Sequence, residues 1–203
     1  MVAEPIVYVI DDDEGVRHSL EFLIDCAGLN VRSFASADGF LDASPPLGDA
    51  CVVTDVRMPG MNGVELVGEL KKRGASVPVI VMTGHADVPL AIQAMKAGVA
   101  DFIEKPFDDT AMLSAIRAAL AQQAGKQAAQ AERDQIAERI SQLSPREREV
   151  MDGLVAGAAN KVIAYDLGIS ARTVEVYRAN VMMKMQAKSL SELVRKATLA
   201  RLS

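Results

Sequence analysis

The sequence predicts an α/β domain built on a parallel sheet, followed by a smaller domain that contains only helices. Strand-like and helix-like patterns alternate over the first 120 residues, and only helical patterns follow residue 140. The charge also changes sign: residues 1–125 hold 9 Lys and Arg against 18 Asp and Glu, whereas residues 126–203 hold 13 against 9. An acidic half suits the binding of a cation, and a basic half suits a polyanion.

Short runs rich in β-branched residues predict the strands of the first domain: Ile6–Ile10, Val31–Phe34, Ala50–Thr54, Val77–Met82 and Asp101–Ile103. Segments with helical periodicity lie between and after them: Val16–Ala27, Ala37–Ala43, Val64–Arg73, Val88–Ala97 and Asp109–Gln122. Continuous apolar strands that alternate with helices indicate a parallel sheet covered on both faces. Such sheets place their functional groups at the carboxyl ends of the strands.

Residues 123–140 predict a helical, solvated linker between a first domain over 1–122 and a second over 141–203. The segment is rich in Ala, Gln, Arg and Glu, and it has no large hydrophobic residue before Ile136. Ile136, Ile140 and Leu143 are spaced i, i+4, i+7 and so form a short apolar stripe. A plain extension of the preceding helix, without a role of its own, explains the segment equally well.

Four helices are expected in the second domain: Pro145–Ala156, Lys161–Leu167, Ala171–Met185 and Ser191–Leu199. Ser144 can cap the first of them, Pro145 suits its first turn, and Glu147 completes a capping box. Two short helices, a turn at Gly168 and a longer helix form the outline of a helix-turn-helix.

Composition argues against a membrane protein and against an exported one. The longest nearly apolar stretches, Pro5–Ile10 and Val77–Met82, are far shorter than the roughly 20 residues of a membrane span. The first apolar run lacks the basic start of a secretory signal. Cys26 and Cys51 stand alone, without the spacing of a metal site or a disulfide framework, which fits a reducing cytoplasm. We therefore expect a cytoplasmic protein that does not contact membranes.

Polar side chains stand at the ends of the predicted strands. Asp11 and Asp12 follow the first, Asp55 the third, Thr83 the fourth and Lys105 the fifth. This set suits phosphoryl transfer to Asp55, which would form an acyl phosphate. Carboxylates of Asp11 and Asp12 beside Asp55 suit Mg²⁺, which prefers oxygen ligands, or Mn²⁺. The hydroxyl of Thr83 and the ammonium of Lys105 would contact the phosphate oxygens.

Residues 1–120 resemble the receiver domain of two-component response regulators. The matching strings are Val9–Asp13, Thr54–Gly63, Met82–His85 and Phe102–Phe107. The resemblance implies a flavodoxin-like, five-stranded parallel sheet of order 2-1-3-4-5, and phosphorylation of Asp55 from a histidine of a sensor kinase. It also implies that the backbone carbonyl of Arg57 joins Asp11, Asp12 and Asp55 around the metal.

Two further roles follow from the same resemblance. Thr83 and Phe102 match the family's switch pair, in which the hydroxyl turns toward the phosphate and the aromatic ring moves into the vacated space. The segment Val88–Ile103 matches a face through which receivers form homodimers on phosphorylation.

His18 and His85 are expected on the surface or in a loop, so the phosphoryl donor must be another protein.

Residues 141–203 resemble the LuxR-type helix-turn-helix through Leu143–Val150, Asn160–Ala164, Leu167–Ser170 and Thr173–Tyr177. Together the two halves resemble the FixJ subfamily of response regulators. The resemblance implies a four-helix output domain that binds operator DNA as a dimer. It implies a transcription regulator rather than an enzyme. The subfamily favours activation over repression, which implies RNA polymerase as a partner.

The helix Ala171–Met185 is the predicted recognition helix. Arginine can read guanine, asparagine adenine, glutamate a cytosine amine and valine a thymine methyl, whereas lysines suit phosphates. The predicted DNA-binding residues are Lys161, Ser170, Arg172, Thr173, Glu175, Val176, Arg178, Asn180 and Lys184. Tyr177 stands where the family often has His, which puts that one contact in doubt.

Two other functions deserve comparison with this one. A haloacid-dehalogenase-like phosphatase also forms an aspartyl phosphate, but it needs a second Asp two residues after the nucleophile, where this chain has Arg57. A degenerate receiver would serve only as an interaction module. The intact set of Asp11, Asp12, Asp55, Thr83 and Lys105 argues against that alternative.

Overall fold

A computed structural model describes residues 4–84 and 88–201 of the chain, and the side chains of residues 88–91 and 201 lie outside this description. The chain divides into two compact units, Met1–Lys126 and Gln127–Ser203. None of the helices in the described part is long and apolar enough to cross a membrane.

Five strands form the sheet of the first unit: β1 (Ile6–Ile10), β2 (Asn30–Phe34), β3 (Ala50–Asp55), β4 (Val79–Gly84) and β5 (Asp101–Lys105). Their order is β2-β1-β3-β4-β5, and every neighbouring pair is parallel, which confirms the predicted topology. The helices that connect and follow them are α1 (Glu14–Cys26), α2 (Ala37–Ala43), α3 (Gly63–Lys72), α4 (Val88–Ala97) and α5 (Asp109–Ser141).

Two hydrophobic clusters cover the opposite faces of this sheet. Alternate residues of β1 divide between them: Tyr8 and Ile10 pack in one cluster, and Val7 and Val9 pack in the other. Because side chains along a strand point alternately to the two faces, a strand buried on both sides must be apolar throughout. Cys51 of β3 belongs to this interior, where burial raises the pKa of its thiol to about 12.

The fourth strand begins two residues later than its sequence predicts, at Val79 rather than Val77. Pro78 precedes it and has no N–H to donate to a neighbouring strand. Its carbonyl still accepts a hydrogen bond of 2.9 Å from the backbone nitrogen of Val52. The apolar run in the sequence therefore begins before the hydrogen-bonded strand does.

Helix α5 runs without interruption from Asp109 to Ser141, so the predicted linker continues the last helix of the first unit. Met112 and Ile116 near its start are buried against the sheet, whereas Ile136 near its end is buried among residues of the second unit. Leu143 is buried there too, and Ile140 packs against the same cluster. The segment 123–140 is therefore solvated only in part, because the apolar stripe at its end has a packing role.

The second unit continues with α6 (Pro145–Val155), α7 (Asn160–Leu167), α8 (Ala171–Lys184) and α9 (Leu190–Arg201). Ser144 and Glu147 form the predicted capping box at the start of α6. Gly168 ends α7 with φ +65°, a left-handed conformation that glycine adopts without steric cost, and Ser170 caps α8 two residues later. This short turn between α7 and α8 produces the expected helix-turn-helix outline.

Candidate functional site

The register of the sheet brings the predicted phosphoryl-transfer residues to one edge. Ile10 pairs with Thr54, so Asp11 and Asp55 are the next residues along two neighbouring strands. Asp55 pairs with Met82, the residue before Thr83, and Gly84 pairs with Lys105. Four side chains separated by up to 94 positions in sequence therefore stand at the carboxyl ends of adjacent strands.

The ammonium of Lys105 lies between two carboxylates. Its Nζ is 2.7 Å from Oδ2 of Asp11 and 2.8 Å from Oδ1 of Asp55. Burial lowers the pKa of Lys105, but hydrogen bonds to Asp11 and Asp55 outweigh it, and the net pKa is raised. The lysine is therefore charged and offsets the repulsion between the two acids.

Backbone N–H groups hold the remaining oxygens of both carboxylates. The nitrogen of Asp13 donates to Oδ1 of Asp11 at 2.9 Å, and the nitrogen of Arg57 donates to Oδ2 of Asp55 at 2.8 Å. Asp11 and Asp55 are both buried, at 1% and 8% exposure. Each carboxylate therefore has a fixed orientation toward the space that they share with Lys105.

Asp12 is the exposed member of the adjacent acidic pair. Its side chain is exposed, whereas that of Asp11 is 1% exposed. The predicted contact of Asp12 with the metal stays a prediction. In the described part of the chain, no three Asp, Glu, His or Cys side chains group closely enough to hold a metal. The donors that do converge are hard carboxylate oxygens, which fit Mg²⁺ or Mn²⁺ by chemistry.

Thr83 contributes a hydroxyl without a partner. The residue is 1% exposed. Among the residues that the structure describes, its Oγ1 is the one buried side-chain oxygen or nitrogen atom that lacks a hydrogen-bond partner. Buried polar groups are nearly always satisfied, so an exception points to an absent ligand. Phe102, its predicted switch partner, pairs with Val81 of β4 and is partly buried against the hydrophobic core.

Two residues near this edge were not assigned a role from the sequence. Arg17 donates from its guanidinium to the carbonyls of Asp11 and Asp12, at 2.8 and 3.0 Å, and so fixes the backbone that carries both acids. Gly63 begins α3 directly against β3, where a Cβ atom would lie only 2.3 Å from the carbonyl oxygen of Asp55. The glycine in Asn62-Gly63 hints at such a close approach, whereas nothing in the spacing of Arg17 does.

The exposed side of α8 carries several of the predicted DNA-binding residues. Arg172, Glu175, Val176 and Ala179 line a shallow surface depression, and Val176 is 57% exposed. Val174 and Val181 of the same helix are fully buried. One face of α8 therefore packs in the domain while the other presents charged and apolar groups at the surface.

The remaining predicted DNA-binding residues are placed in several ways. Lys161 is exposed near the start of α7, and Asn180 and Arg178 are partly buried, with Arg178 lying 3.5 Å from Oδ1 of Asn160. The hydroxyls of Ser170 and Thr173 share a hydrogen bond of 2.8 Å at the start of α8. Tyr177, which replaces the usual histidine, packs partly against the hydrophobic cluster.

Lys184, another predicted DNA-binding residue, forms an ion pair within the domain. Its Nζ is 2.6 Å from Oε2 of Glu147 and 3.3 Å from the carbonyl oxygen of Gln142. The sequence places this lysine on the polar side of α8 but cannot show that a buried carboxylate of α6 lies opposite. The Lys184 side chain is 34% exposed, so its predicted contact with a DNA phosphate stays a prediction beside this ion pair.

The predicted dimerisation segment Val88–Ile103 covers α4 and part of β5. Within it, Ile92 is 48% exposed and Met95 is 73% exposed, which leaves apolar surface on α4. The side chains of residues 88–91 lie outside the described residues, as does His85. His18 is exposed, as expected.

Comparison with known proteins agrees with these features. Residues 7–117 match the model of the response regulator receiver domain, and residues 141–197 match that of the bacterial regulatory proteins of the luxR family. The transcriptional regulatory protein FixJ of Azorhizobium caulinodans is 60% identical over 194 residues, which are 96% of this chain and 92% of that protein. The chain belongs to the FixJ-type response regulators. It is thus a two-component response regulator with a LuxR-type DNA-binding domain, and it regulates transcription.

Further relatives of this FixJ-type regulator extend over its whole length. FixJ of Bradyrhizobium diazoefficiens is 53% identical over 97% of this chain and 96% of that protein. Full-length FixJ from B. japonicum has a solved structure with 52% identity, complete coverage of both chains and a TM-score of 0.62. The response regulator StyR aligns with a TM-score of 0.87 at 40% identity, over 97% of this chain and 99% of that one.

Membership in this family confirms the predicted fold and the predicted class of function. The family consists of transcriptional regulators, which favours this reading over the phosphatase alternative. A receiver domain implies a histidine kinase as partner, and a LuxR-type domain implies DNA. Receiver domains in general bind Mg²⁺ at the phosphorylation site.

Proposed function

We propose that Asp55 of this response regulator accepts a phosphoryl group from a histidine of a sensor kinase. The single observation that carries the proposal is the grouping of Asp55 with Asp11, Lys105 and the unpartnered hydroxyl of Thr83 at one sheet edge. Lys105 can remain beside the new phosphate oxygens as a charged donor, and Thr83 can donate the hydrogen bond that it lacks. Both groups therefore favour the phosphorylated state.

The metal that we propose for this site is Mg²⁺ or Mn²⁺. Asp11, Asp12 and Asp55 would bind it, together with the backbone carbonyl of Arg57. When bound, the ion offsets the negative charge of the carboxylates and of the phosphoryl group. Lys105 already neutralises both acids in this structure. A bound ion would therefore share the carboxylates of Asp11 and Asp55 with the ammonium of Lys105.

Phosphorylation would then act on the output through the first unit's α4 and β5. Phosphate adds three strong acceptors and about −1.5 to −2 charge, which favours whichever conformation directs Thr83 and Lys105 toward it. Movement of Thr83 would make room for Phe102, and the apolar surface of Ile92 and Met95 would become a homodimer face. The dimer would present two DNA-binding domains together.

At the DNA, we propose that Arg172, Glu175, Val176 and Asn180 approach base edges in the major groove. The remaining proposed contacts, to backbone phosphates or at the start of α8, are Lys161, Ser170, Thr173 and Arg178. We keep the division into a receiver (1–122), a linker (123–140) and a DNA-binding domain (141–203), since the two family matches fall inside the outer segments. We further propose a cytoplasmic activator that works with RNA polymerase.

Labelling with acetyl phosphate tests the phosphoacceptor directly. The full-length protein is incubated with Mg²⁺ and labelled acetyl phosphate, and the covalent label that alkali or hydroxylamine removes is measured for the wild type and for Asp55→Asn. We expect the label on the wild type and none on the variant. Asp166→Asn, an exposed aspartate in α7, is the control and should label normally. Equal labelling of the wild type and Asp55→Asn would refute the assignment.

A further inference from the structure

One buried carboxylate joins the end of helix α8 to the start of helix α6. Glu147 is only 5% exposed, and its Oε2 accepts from Nζ of Lys184 at 2.6 Å and from the backbone nitrogen of Ser144 at 2.8 Å. Lys184, the last residue of α8, also donates to the carbonyl of Gln142 at 3.3 Å. The ammonium therefore ties the last turn of α8 to the segment that precedes α6.

A buried ammonium holds the residues that follow. Nζ of Lys196 in α9 donates to the carbonyls of Met185 and Gln186, at 3.3 and 2.7 Å, and lies 2.8 Å from Oε1 of Glu192. Cations near a helix C-terminus stabilise the free carbonyls there. The carboxyl end of α8 is thus anchored by charged groups from two sides, whereas its amino end is capped by Ser170 of its own turn.

We infer that Glu147 and Lys184 are positioning residues for DNA recognition, which fix the rotation and the axial position of α8. The inference rests on the proposed function of α8 as the recognition helix. Base edges are read by short, directed hydrogen bonds, so a small displacement of Arg172 or Glu175 costs sequence discrimination. Phosphate contacts tolerate such displacement because they depend mainly on charge.

A direct role of Lys184 at phosphates makes the opposite prediction. Neutralising Glu147 would release the ammonium and remove a negative charge from the domain, so affinity for every DNA sequence would rise. If the pair positions α8 instead, the same change lowers affinity for the preferred sequence and leaves other sequences nearly unaffected. The direction in which the affinity for the preferred sequence changes therefore distinguishes the two roles.

The experiment uses the full-length protein and two DNA duplexes. One is the duplex that the wild type selects from a random library, and the other is a scrambled duplex of the same composition; Kd is measured for both over a series of salt concentrations. For Glu147→Gln, whose amide oxygen can still accept from Ser144, we expect about tenfold weaker binding of the selected duplex. Binding of the scrambled duplex should change by less than about twofold, with an unchanged salt dependence.

Three further variants complete the test. Glu149→Gln removes the same charge from the exposed side of α6, where Glu149 pairs with Arg146, and should leave the ratio of the two affinities unchanged. Lys184→Arg keeps the cation and should retain the discrimination. Lys184→Gln should lose the discrimination between the two duplexes. This variant takes the place of Glu147→Gln if Glu147→Gln fails to fold.

Two results would overturn the inference. The first is an unchanged ratio of affinities in the folded Glu147→Gln or Lys184→Gln variant. The second is an equal loss on both duplexes for Lys184→Gln, with a salt slope reduced by about one, which identifies a phosphate contact. A wild type that selects no sequence at all would refute the proposed DNA-binding function, and the inference with it.

Discussion

The side chain of Lys105 makes the site stable without any other cation. Two buried carboxylates repel one another unless a positive charge lies between them, and here the ammonium contacts both within 2.8 Å. Removing one partner of such a buried group leaves a charge uncompensated, which is strongly destabilising. The lysine thus serves the unphosphorylated protein as well as the proposed phosphorylated one.

Thr83→Val is expected to leave the free energy of unfolding unchanged or to raise it by up to about 1 kcal/mol. The hydroxyl that it removes is buried without a partner, and such groups carry a desolvation cost. In the same variant, the increase in mass on phosphorylation should be lost. Urea unfolding and light scattering measure the two effects.

Thr54→Val is the matched control for that variant. The hydroxyl of Thr54 is equally buried but donates to the carbonyl of Asp55 at 3.1 Å, so its removal should destabilise by about 1 kcal/mol. If Thr83→Val destabilises as much as Thr54→Val does, the hydroxyl of Thr83 has a structural partner and the proposed role is wrong.

At the scale of single elements, the contact between the start of α3 and the end of β3 is the closest to the phosphoacceptor. Gly63→Ala would place a methyl group 2.3 Å from the carbonyl oxygen of Asp55, so the helix or the strand must move. We expect a loss of about 1–3 kcal/mol in the free energy of unfolding, together with slower labelling of Asp55. Denaturant unfolding and the acetyl phosphate assay measure these changes.

Gly68→Ala in the same helix is the control, because no atom other than those of its chain neighbours and its own helix backbone lies within 4 Å of the added methyl group. Alanine favours helix over glycine, so this variant should be more stable by up to about 1 kcal/mol. Similar losses in both variants would show that the approach of α3 to Asp55 is not what requires glycine at position 63.

The capping carboxylate of α6 predicts a pH dependence. A hydrogen bond from Lys184, followed by one from the backbone of Ser144, lowers the pKa of Glu147. Since its folded pKa lies below the unfolded one, its stabilisation is present above the ordinary value of about 4.3 and is lost as the pH falls through the lowered pKa. The stability difference between the wild type and Glu147→Gln should therefore be large at neutral pH and shrink in acid.

Chemical unfolding at neutral pH and at a series of acidic values measures this difference. Glu149→Gln again serves as the comparison, because Glu149 is exposed and forms its ion pair with the exposed Arg146. A difference between wild type and Glu147→Gln that stays constant down to strongly acidic pH would contradict the lowered pKa.

Local patterns predicted most elements, because each begins or ends at a residue with strong preferences. The bounds of β1, α2 and α4 agree fully with the prediction, and Gly28, Gly74 and Gly98 adopt the left-handed conformation that ends a helix. The continuity of α5 was left open, since an Ala-rich helical segment has the same pattern whether it starts a new element or extends an old one. The burial of Ile136 depends on partners that are distant in sequence.

The candidate site, too, was predicted where local pattern decides and missed where distant partners decide. Strand ends predicted that Asp11, Asp55, Thr83 and Lys105 would share an edge, because topology alone brings them there. Pattern could not decide which of the adjacent Asp11 and Asp12 is buried, since both lie beyond the end of β1 at Ile10. The ion pair of Lys184 could not be predicted for a related reason: its partner Glu147 lies 37 residues away on another helix.

For the whole molecule, the proposed switch predicts a change in mass. Phosphorylation should double the mass of the wild type in light scattering, whereas Met95→Glu should stay monomeric, because a charge cannot be buried at an apolar interface without a large desolvation cost. Phe22→Glu on α1 is the control, since Phe22 is exposed to the same 73% but lies outside the proposed face. A wild-type mass that does not change would count against dimerisation as the switch.

Helix α5 indicates where the chain can be divided. It has 33 residues, and its buried side chains near the two ends belong to different hydrophobic clusters. The boundary between the two compact units falls between Lys126 and Gln127, after Met112 and Ile116 and before Ile136. A chimera that joins this receiver to a foreign output domain should therefore be fused near residue 126, so that each unit keeps the side chains that complete its own core.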